Sequence, residues 1–190
     1  MSAHLYGPQT FRQVGWKNGR GQTTELLAWP RPEAYEWRLS MAPVNEDGAF
    51  SDFAGFQRTL ILLRGNGLHL THDANDTQVL RQRFDIARFD GGARTFAQLE
   101  DGPILDFNLM VRTPAWSSTV HVIRGEDQRL LPHADHLLVY AVEGTAQWQN
   151  GSEAMTIATS HLLHVEDARS STLHNAGALI VMVLRCGDAR

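Results

Sequence analysis

Short stretches of alternating or continuous apolar residues recur along the whole chain, and turn-forming residues separate them. Residues 35–42 alternate strictly, with aromatic and aliphatic residues at the odd positions and Glu36, Arg38 and Ser40 between them. Because side chains alternate between the two faces of a strand, this pattern predicts a strand with one apolar face. Strands are also predicted at 58–64, 104–112, 137–142, 156–165 and 179–185. No long helical period appears, so the sequence predicts an all-β fold, either a sandwich or a barrel.

The two halves of the chain resemble each other. The run 58–65 (RTLILLRG) is echoed by 137–144 (LLVYAVEG), and each apolar run ends in a charged residue followed by glycine. Repetition of one β-unit accounts for this similarity. We therefore expect an N-terminal half over residues 1–113, a connector over 114–132 and a C-terminal half over 133–190.

Composition narrows the function classes. The chain has 190 residues, of which 43% are hydrophobic and 20% charged, as expected for a globular protein with a sizeable core. The formal net charge of -4 and the scattered arginines form no basic stripe, so we expect no nucleic-acid partner. The longest apolar run, 178–184, is too short to cross a bilayer, and the first residues lack the apolar core of a signal peptide. Cys186, the single cysteine, favours a reducing compartment, so we expect a cytoplasmic protein without a membrane partner.

One segment near the N-terminus combines unusual chemistry. Residues 16–25 (WKNGRGQTTE) include the only lysine of the chain, whereas every other basic side chain is arginine. The segment joins an aromatic ring, an ammonium, a carboxamide, hydroxyls and a carboxylate, a mixture typical of a ligand-contacting loop. The alternative is an ordinary glycine-rich hairpin turn, because Asn-Gly suits a turn that needs positive φ.

Several motifs indicate a known family. Residues 140–144 (YAVEG) resemble the strand-to-turn signature of cupins. The chain as a whole resembles the HutD/Ves family of bicupins. The matching stretches occur in order: 16–19 with 24–25, then 37–40, 47–51, 53–58 and 106–110. Arg20 stands where the family usually carries a third glycine. The resemblance implies a bicupin, with two cupin-like β-barrel or jelly-roll units, and an accessory role in histidine utilisation; it implies no known reaction.

Many cupins hold a metal through His-x-His, a following Glu and a distant His, and this chain contains no His-x-His. The corresponding positions are Leu131, His133, Leu137 and Ser171 in the second half, and Asp52, Ala54 and Arg58 in the first. An arginine in a ligand position repels a cation, so we expect no metal and no cofactor. The best remaining metal candidates are His164, Glu166 and His174.

Polar residues on predicted strands provide the candidate site. Arg38 and Ser40 share one strand face, and Asp106 and Asn108 share another. The resemblance to cupins implies that Arg58 occupies a position that normally faces the barrel lumen. If these faces converge, they form a pocket for a small carboxylate. The predicted ligand-binding residues are Trp16, Lys17, Asn18, Thr24, Glu25, Arg38, Ser40, Arg58, Asp106 and Asn108. The alternative is a solvated ion pair between Arg38 and Asp106, worth little to stability.

The leading hypothesis is a metal-free bicupin that binds a small anionic metabolite and serves histidine utilisation as a regulator or accessory protein. The resemblance makes formylglutamate or urocanate sensible ligands. No catalytic residue is assigned, and the sequence favours a binding protein over an enzyme. Two alternatives stay open: a metal-dependent or acid–base cupin enzyme acting on a small metabolite, and a protein-binding accessory subunit. A homodimer is compatible with exposed strand edges.

Overall fold

The computed structural model describes residues 1–16, 21–73 and 76–187. Within these residues the chain forms sixteen strands and a single 3-10 helix, Pro8–Thr10, so the all-β prediction is confirmed. No helix of this part of the chain has the length and hydrophobicity needed to cross a membrane. The strands are β1 (Ser2–Tyr6), β2 (Arg12–Gly15), β3 (Gln22–Trp29), β4 (Trp37–Val44), β5 (Gly48–Ala49), β6 (Phe56–Arg64), β7 (Leu68–His72), β8 (Asp76–Leu80), β9 (Ile86–Asp90), β10 (Thr95–Leu99), β11 (Ile104–Arg112), β12 (Trp116–Leu131), β13 (Ala134–Asn150), β14 (Glu153–Ile157), β15 (Leu162–Ala168) and β16 (Ser171–Cys186).

The strands divide into two compact units. The N-terminal barrel is Arg12–Pro114, with one sheet in the order β2-β3-β4-β11-β6-β9 and another in the order β5-β10-β7-β8. The C-terminal barrel comprises residues 1–11 and those from Ala115 onward, with strand order β1-β15-β13-β16-β12 and β14 paired to β13. Every strand pairing among the described residues is antiparallel.

The unit boundaries differ from those expected from the sequence. Residues 114–132 do not form a simple connector, because β12 occupies most of them and pairs with β16 from Trp116↔Cys186 to Leu131↔Ser171. The first residues also leave the predicted N-terminal half, since β1 pairs with β15. The predicted strand 156–165 is split between β14 and β15 by a turn. The first two differences arise from backbone pairing between residues distant in sequence, which local periodicity does not encode. The third arises from a local turn, in which Ser160 adopts a positive φ of 64°.

The three longest strands of the C-terminal barrel bend at glycines. Gly125 in β12 and Gly144 in β13 both adopt positive φ, at 79° and 72°. A Cβ on Gly144 would collide with the carbonyl oxygen of Ala176, so both the backbone conformation and the close approach require glycine. Asn175 fastens the bend, since its side-chain amide donates to the carbonyl oxygens of Gly125 and Gly177 at 2.9 and 3.0 Å.

The two barrels have different cores. The C-terminal core is mainly aliphatic and includes the buried Trp148, whose indole N–H donates to the hydroxyl of Ser171 at 2.9 Å. The N-terminal core also contains leucines, including Leu60 and Leu62 of β6. In the N-terminal barrel, however, buried charged and amide side chains lie on the same strand faces as these leucines.

Candidate functional site

Strand register builds a polar cluster inside the N-terminal barrel. Its members are Glu25, Arg38, Ser40, Arg58, Asp106 and Asn108. In one cross-strand row Asn108 lies between Ser40 and Leu60, and in the next Asp106 lies between Ala42 and Leu62. Residues directly opposite each other on neighbouring strands project to the same face. The polar residues therefore face the barrel core together with the leucines.

Arg58 and Arg38 lie on that face two strands apart. Both are in register with Met110 of β11, Arg38 from the β4 side and Arg58 from the β6 side. Proximity of the two cations is one cause that lowers the pKa of Arg58, after burial. The cluster thus places two guanidinium groups near each other on one face of the sheet.

A chain of hydrogen bonds connects Arg58 to Asp106. The Arg58 Nη2 atom donates to the Asn108 side-chain oxygen at 2.9 Å. The Asn108 amide in turn donates to Asp106 Oδ1 at 2.9 Å, and the same oxygen accepts the Ala42 backbone N–H at 3.2 Å. Only 2% of Asp106 and 6% of Arg58 remain exposed. Asn108 therefore orients the cation and the carboxylate that flank it.

Aromatic rings surround the Arg58 guanidinium. Its central carbon lies 5.0, 5.5 and 4.9 Å from the ring centroids of Phe50, Phe53 and Phe89. Cation–π contacts of this kind favour a guanidinium in a position that excludes water. The buried Nε atom of Arg58 has no hydrogen-bond partner among the residues that the structure describes. A guanidinium has five N–H donors, so Arg58 retains hydrogen-bonding capacity for an incoming acceptor.

Burial shifts the pKa values of Arg58 and Asp106, the two charged groups that Asn108 connects. Desolvation lowers the pKa of Arg58 to about 10, although nearby Asp106 opposes the shift. Desolvation also raises the pKa of Asp106 to about 6, against the opposing effects of Arg58, the Asn108 hydrogen bond and the Ala42 N–H. Burial penalises the charged form of each group more than the partner restores it. A carboxyl with this pKa can change its protonation state near neutral pH.

Arg38 pairs with Glu25 and not with Asp106, the carboxylate that the sequence analysis considered as its partner. Its Nε atom contacts Glu25 Oε2 at 2.7 Å, and Arg12 Nη1 approaches the other oxygen of Glu25 at 3.6 Å. The Arg38 guanidinium also lies 5.9 Å from the Tyr35 ring centroid. The alternative of a solvated Arg38–Asp106 ion pair is wrong in both respects, because Asp106 is buried and Arg38 pairs with Glu25.

The structure brings the loop residues only partly to the cluster. Trp16 is half-buried, and its indole N–H donates to the Thr23 hydroxyl at 2.8 Å. Thr24 instead exchanges hydrogen bonds with Gln13 at an exposed position, on the strand face opposite Glu25. Two residues of the predicted ligand-binding set, Lys17 and Asn18, lie outside the described residues, as does Arg20.

Sequence reasoning missed the aromatic residues around Arg58. Phe89 stands directly opposite Arg58 in the β6–β9 register, and Phe50 and Phe53 follow β5. The family-like stretches 47–51 and 53–58 contained the signal, since both phenylalanines and Arg58 belong to them. Strand alternation likewise favours Thr23 over Thr24 as the threonine on the Glu25 face.

The residual metal candidates do not assemble. His164 is buried and its Nε2 atom lies 2.9 Å from Nδ1 of His136, whose ring in turn packs against Trp116. His174 is exposed on β16 in register with Gln147, whereas His164 on β15 is in register with Leu138. Across the described ranges, no three His, Cys, Asp or Glu side chains form a group able to hold a metal ion.

The two barrels define the protein as a bicupin. Its fold resembles that of a cupin 2 conserved barrel domain protein from Leptotrichia buccalis, with a TM-score of 0.56, 10% identity and 92% of each chain covered. The chain belongs to the HutD family, whose model matches residues 8–182. This finding confirms the resemblance deduced from the motifs.

Relatives with names and structures support the same assignment. An uncharacterized 21.2 kDa protein in the hutC 3′ region of Pseudomonas putida is 33% identical over 139 residues, 72% of each chain. Protein Ves of Escherichia fergusonii is 30% identical over 144 residues, 74% of this chain and 72% of Ves. A conserved protein of unknown function from Pseudomonas aeruginosa PAO1 matches with a TM-score of 0.89 and 26% identity, covering 97% of this chain and all of that one. HutD from Pseudomonas fluorescens SBW25 matches with a TM-score of 0.83 and 25% identity, covering 98% of this chain and 100% of that one.

Proposed function

We propose that the N-terminal barrel binds a small carboxylate metabolite in its polar cluster, and that the protein serves histidine utilisation as an accessory or regulatory protein. The observation that carries the proposal is the buried Arg58 guanidinium, which retains an unpartnered Nε atom and lies on the same face as Arg38. The family and the hutC-region name of the Pseudomonas putida relative support this choice of pathway.

The chemistry of the cluster favours an anion with a second polar group. A guanidinium binds a carboxylate through two parallel hydrogen bonds, and low local polarity strengthens that contact. The Ser40 hydroxyl and Asn108 amide, in register on neighbouring strands, provide hydrogen-bonding groups beside the cations. Aromatic rings next to Arg58 suit a flat or apolar ligand body. Formylglutamate, with carboxylates and a formamide, and urocanate, with a planar body, both satisfy these requirements.

Calorimetric titration of the full chain with formylglutamate and with urocanate tests the binding step. We expect at least one to bind, and we expect Arg58→Lys and Arg38→Gln to weaken that binding at least tenfold, about 1.4 kcal/mol. Arg64→Gln is the matched control, because Arg64 is exposed at the end of the same strand as Arg58. Absence of heat with both ligands, for a protein shown to be folded, contradicts the proposal.

The accessory role has a separate test in the source organism. Deletion of the coding sequence should change growth on histidine, or the amount of the histidine-degrading enzymes, without abolishing any single reaction of the pathway. Complementation with Arg58→Lys should fail, whereas complementation with Arg64→Gln should succeed. Growth on histidine that is identical with and without the gene contradicts this part of the proposal.

An acid–base enzyme is the second candidate, and Asp106 favours it. This carboxyl is buried in the same cluster, and its pKa of about 6 lies where a general acid or base is effective. Incubation of each bound acid with the protein, followed by NMR, distinguishes the two functions. An unchanged ligand supports binding alone, whereas a product formed by the wild type and lost in Asp106→Asn supports the enzyme.

A further inference from the structure

A cleft of about 210 Å³ opens on the C-terminal barrel. Strands β12 and β16 form its wall, with Thr119 in register with Val183 and His121 in register with Val181. Beyond the bend at Gly125, the end of β12 provides Arg129 and the adjoining Leu131. The cleft is thus lined by both halves of one bent strand and by its neighbour, all within the C-terminal barrel.

The floor and the rim of this cleft have opposite chemistry. An apolar floor is formed by Ile123, Val181 and Val183, each of which is at most 4% exposed. The rim carries two guanidinium groups, from Arg129 and Arg185, together with the hydroxyl and imidazole of the exposed Thr119 and His121. No Asp or Glu belongs to the lining. An apolar base beneath concentrated positive charge suits an amphipathic anion.

Arg185 is the less neutralised of the two cations. Arg129 Nε contacts Asp127 at 2.6 Å, so part of its charge is offset. Arg185 Nη2 instead donates to the carbonyl oxygen of His133 at 3.1 Å, which positions the guanidinium without cancelling its charge. No ion pair joins Arg185 to a carboxylate within residues 1–16, 21–73 and 76–187.

We propose that this cleft is a second binding site, specific for a small carboxylate with an apolar body, such as an aromatic or short aliphatic acid. Arg185 and Arg129 bind the carboxylate, and Ile123, Val181 and Val183 contact the body. The cleft is smaller than the roughly 300–1,000 Å³ typical of sites for drug-sized ligands, so it accepts only small acids. The site shares no residue with the polar cluster of the N-terminal barrel and is independent of the function proposed for it.

Fluorine NMR titration of the full chain with 4-fluorobenzoate tests the proposal. We expect saturable binding, and we expect Arg185→Gln to weaken it about tenfold and Arg129→Gln by a smaller factor. Arg124→Gln is the matched control and should bind within about twofold of the wild type. Arg124 is exposed on the same strand, but it lies at an even position, on the face opposite His121 and Ile123. The neutral analogue 4-fluorobenzamide should bind much more weakly than the acid.

A crystal soaked with 4-bromobenzoate locates the site independently, because bromine has an anomalous signal. We expect a bromine peak between β12 and β16, beside Val181 and Val183. A peak confined to the interior of the N-terminal barrel, or no peak at all, overturns the proposal. So does equal affinity of the wild type and Arg185→Gln, or equal affinity of the acid and its amide. A bromine peak in the cleft supports this site even if formylglutamate and urocanate fail to bind the N-terminal barrel.

Discussion

Arg58 and Asp106 face the same buried interior from neighbouring strands, and Asn108 joins them by accepting from one and donating to the other. Neither charge is solvated, since both side chains are almost fully buried. Each therefore depends on the other for compensation. Under the proposed function, an anion bound at Arg58 would compete with Asp106 for that cation, so we expect binding, protonation and stability to be linked through this pair.

Affinity for a carboxylate at Arg58 should rise as the pH falls. Asp106 has a pKa of about 6, so acidification neutralises it and removes a negative charge that disfavours the ligand. Between about pH 7.5 and about pH 5.5, calorimetry with formylglutamate should show an affinity increase of about three- to tenfold. The Asp106→Asn variant should show little pH dependence, whereas Arg64→Gln should retain the wild-type slope. An unchanged slope in Asp106→Asn would refute the linkage.

Removing the cation alone should be more harmful than removing both charges. Arg58→Gln leaves Asp106 buried without its counter-ion, and we expect a loss of about 3 kcal/mol in the free energy of unfolding at neutral pH. Adding Asp106→Asn should restore most of that loss, giving a coupling energy of about 2 kcal/mol in a urea-unfolding double-mutant cycle. Arg64→Gln should change stability by no more than about 0.5 kcal/mol. Additive effects of the two buried substitutions would show that the pair is not coupled.

Acid should destabilise the C-terminal barrel through His164. Desolvation, helped by His136 and His4, lowers its pKa to about 3, so the folded protein keeps it neutral while the unfolded chain protonates it near its ordinary value of 6.5. Between about pH 6.5 and about pH 3 the unfolded state binds more protons than the folded state. The free energy of unfolding therefore decreases by up to about 1.4 kcal/mol for each pH unit by which the pH is lowered.

Titration of Asp106 changes stability with pH in the opposite direction to titration of His164. Its raised pKa makes the folded state bind more protons between its ordinary value of 3.8 and about 6, so its contribution to stability is lost as the pH rises through that range. Urea unfolding from about pH 7 to about pH 4 should therefore show a steeper acid loss in Asp106→Asn and a shallower one in His164→Leu. Identical slopes in these variants and the wild type would show that neither group controls acid stability.

Two glycines with similar φ should respond differently to alanine. Gly144 adopts a φ of 72° and its Cβ would meet the Ala176 carbonyl oxygen, whereas Gly151 adopts 57° with nothing within 4 Å of its Cβ. Gly144→Ala should cost about 3 kcal/mol or more, because strain and collision add. Gly151→Ala should cost only about 1 kcal/mol from strain. Thermal unfolding of both variants measures the difference, and equal losses would argue against close strand approach at Gly144.

Local periodicity determined much of the N-terminal barrel. The alternation of 35–42 and of 104–112 is enough to place Arg38 on one face with Ser40 and Asp106 on one face with Asn108, because the side-chain period of a strand is a property of its own backbone. Arg58 was assigned to the interior on different grounds, because it occupies the position that normally faces the lumen in the cupins that the chain resembles. These assignments required no knowledge of which strands pair.

Only tertiary structure decided which faces meet. Pairing of β1 with β15 and of β12 with β16 depends on hydrogen bonds between distant segments, so the expected connector became a strand. The partner of Arg38, the phenylalanines around Arg58 and the His136–His164 contact depend on the same distant pairings. A sequence fixes the direction of a side chain along its strand, but the neighbour that the side chain finds is set by register across the sheet, and register is a property of the whole fold.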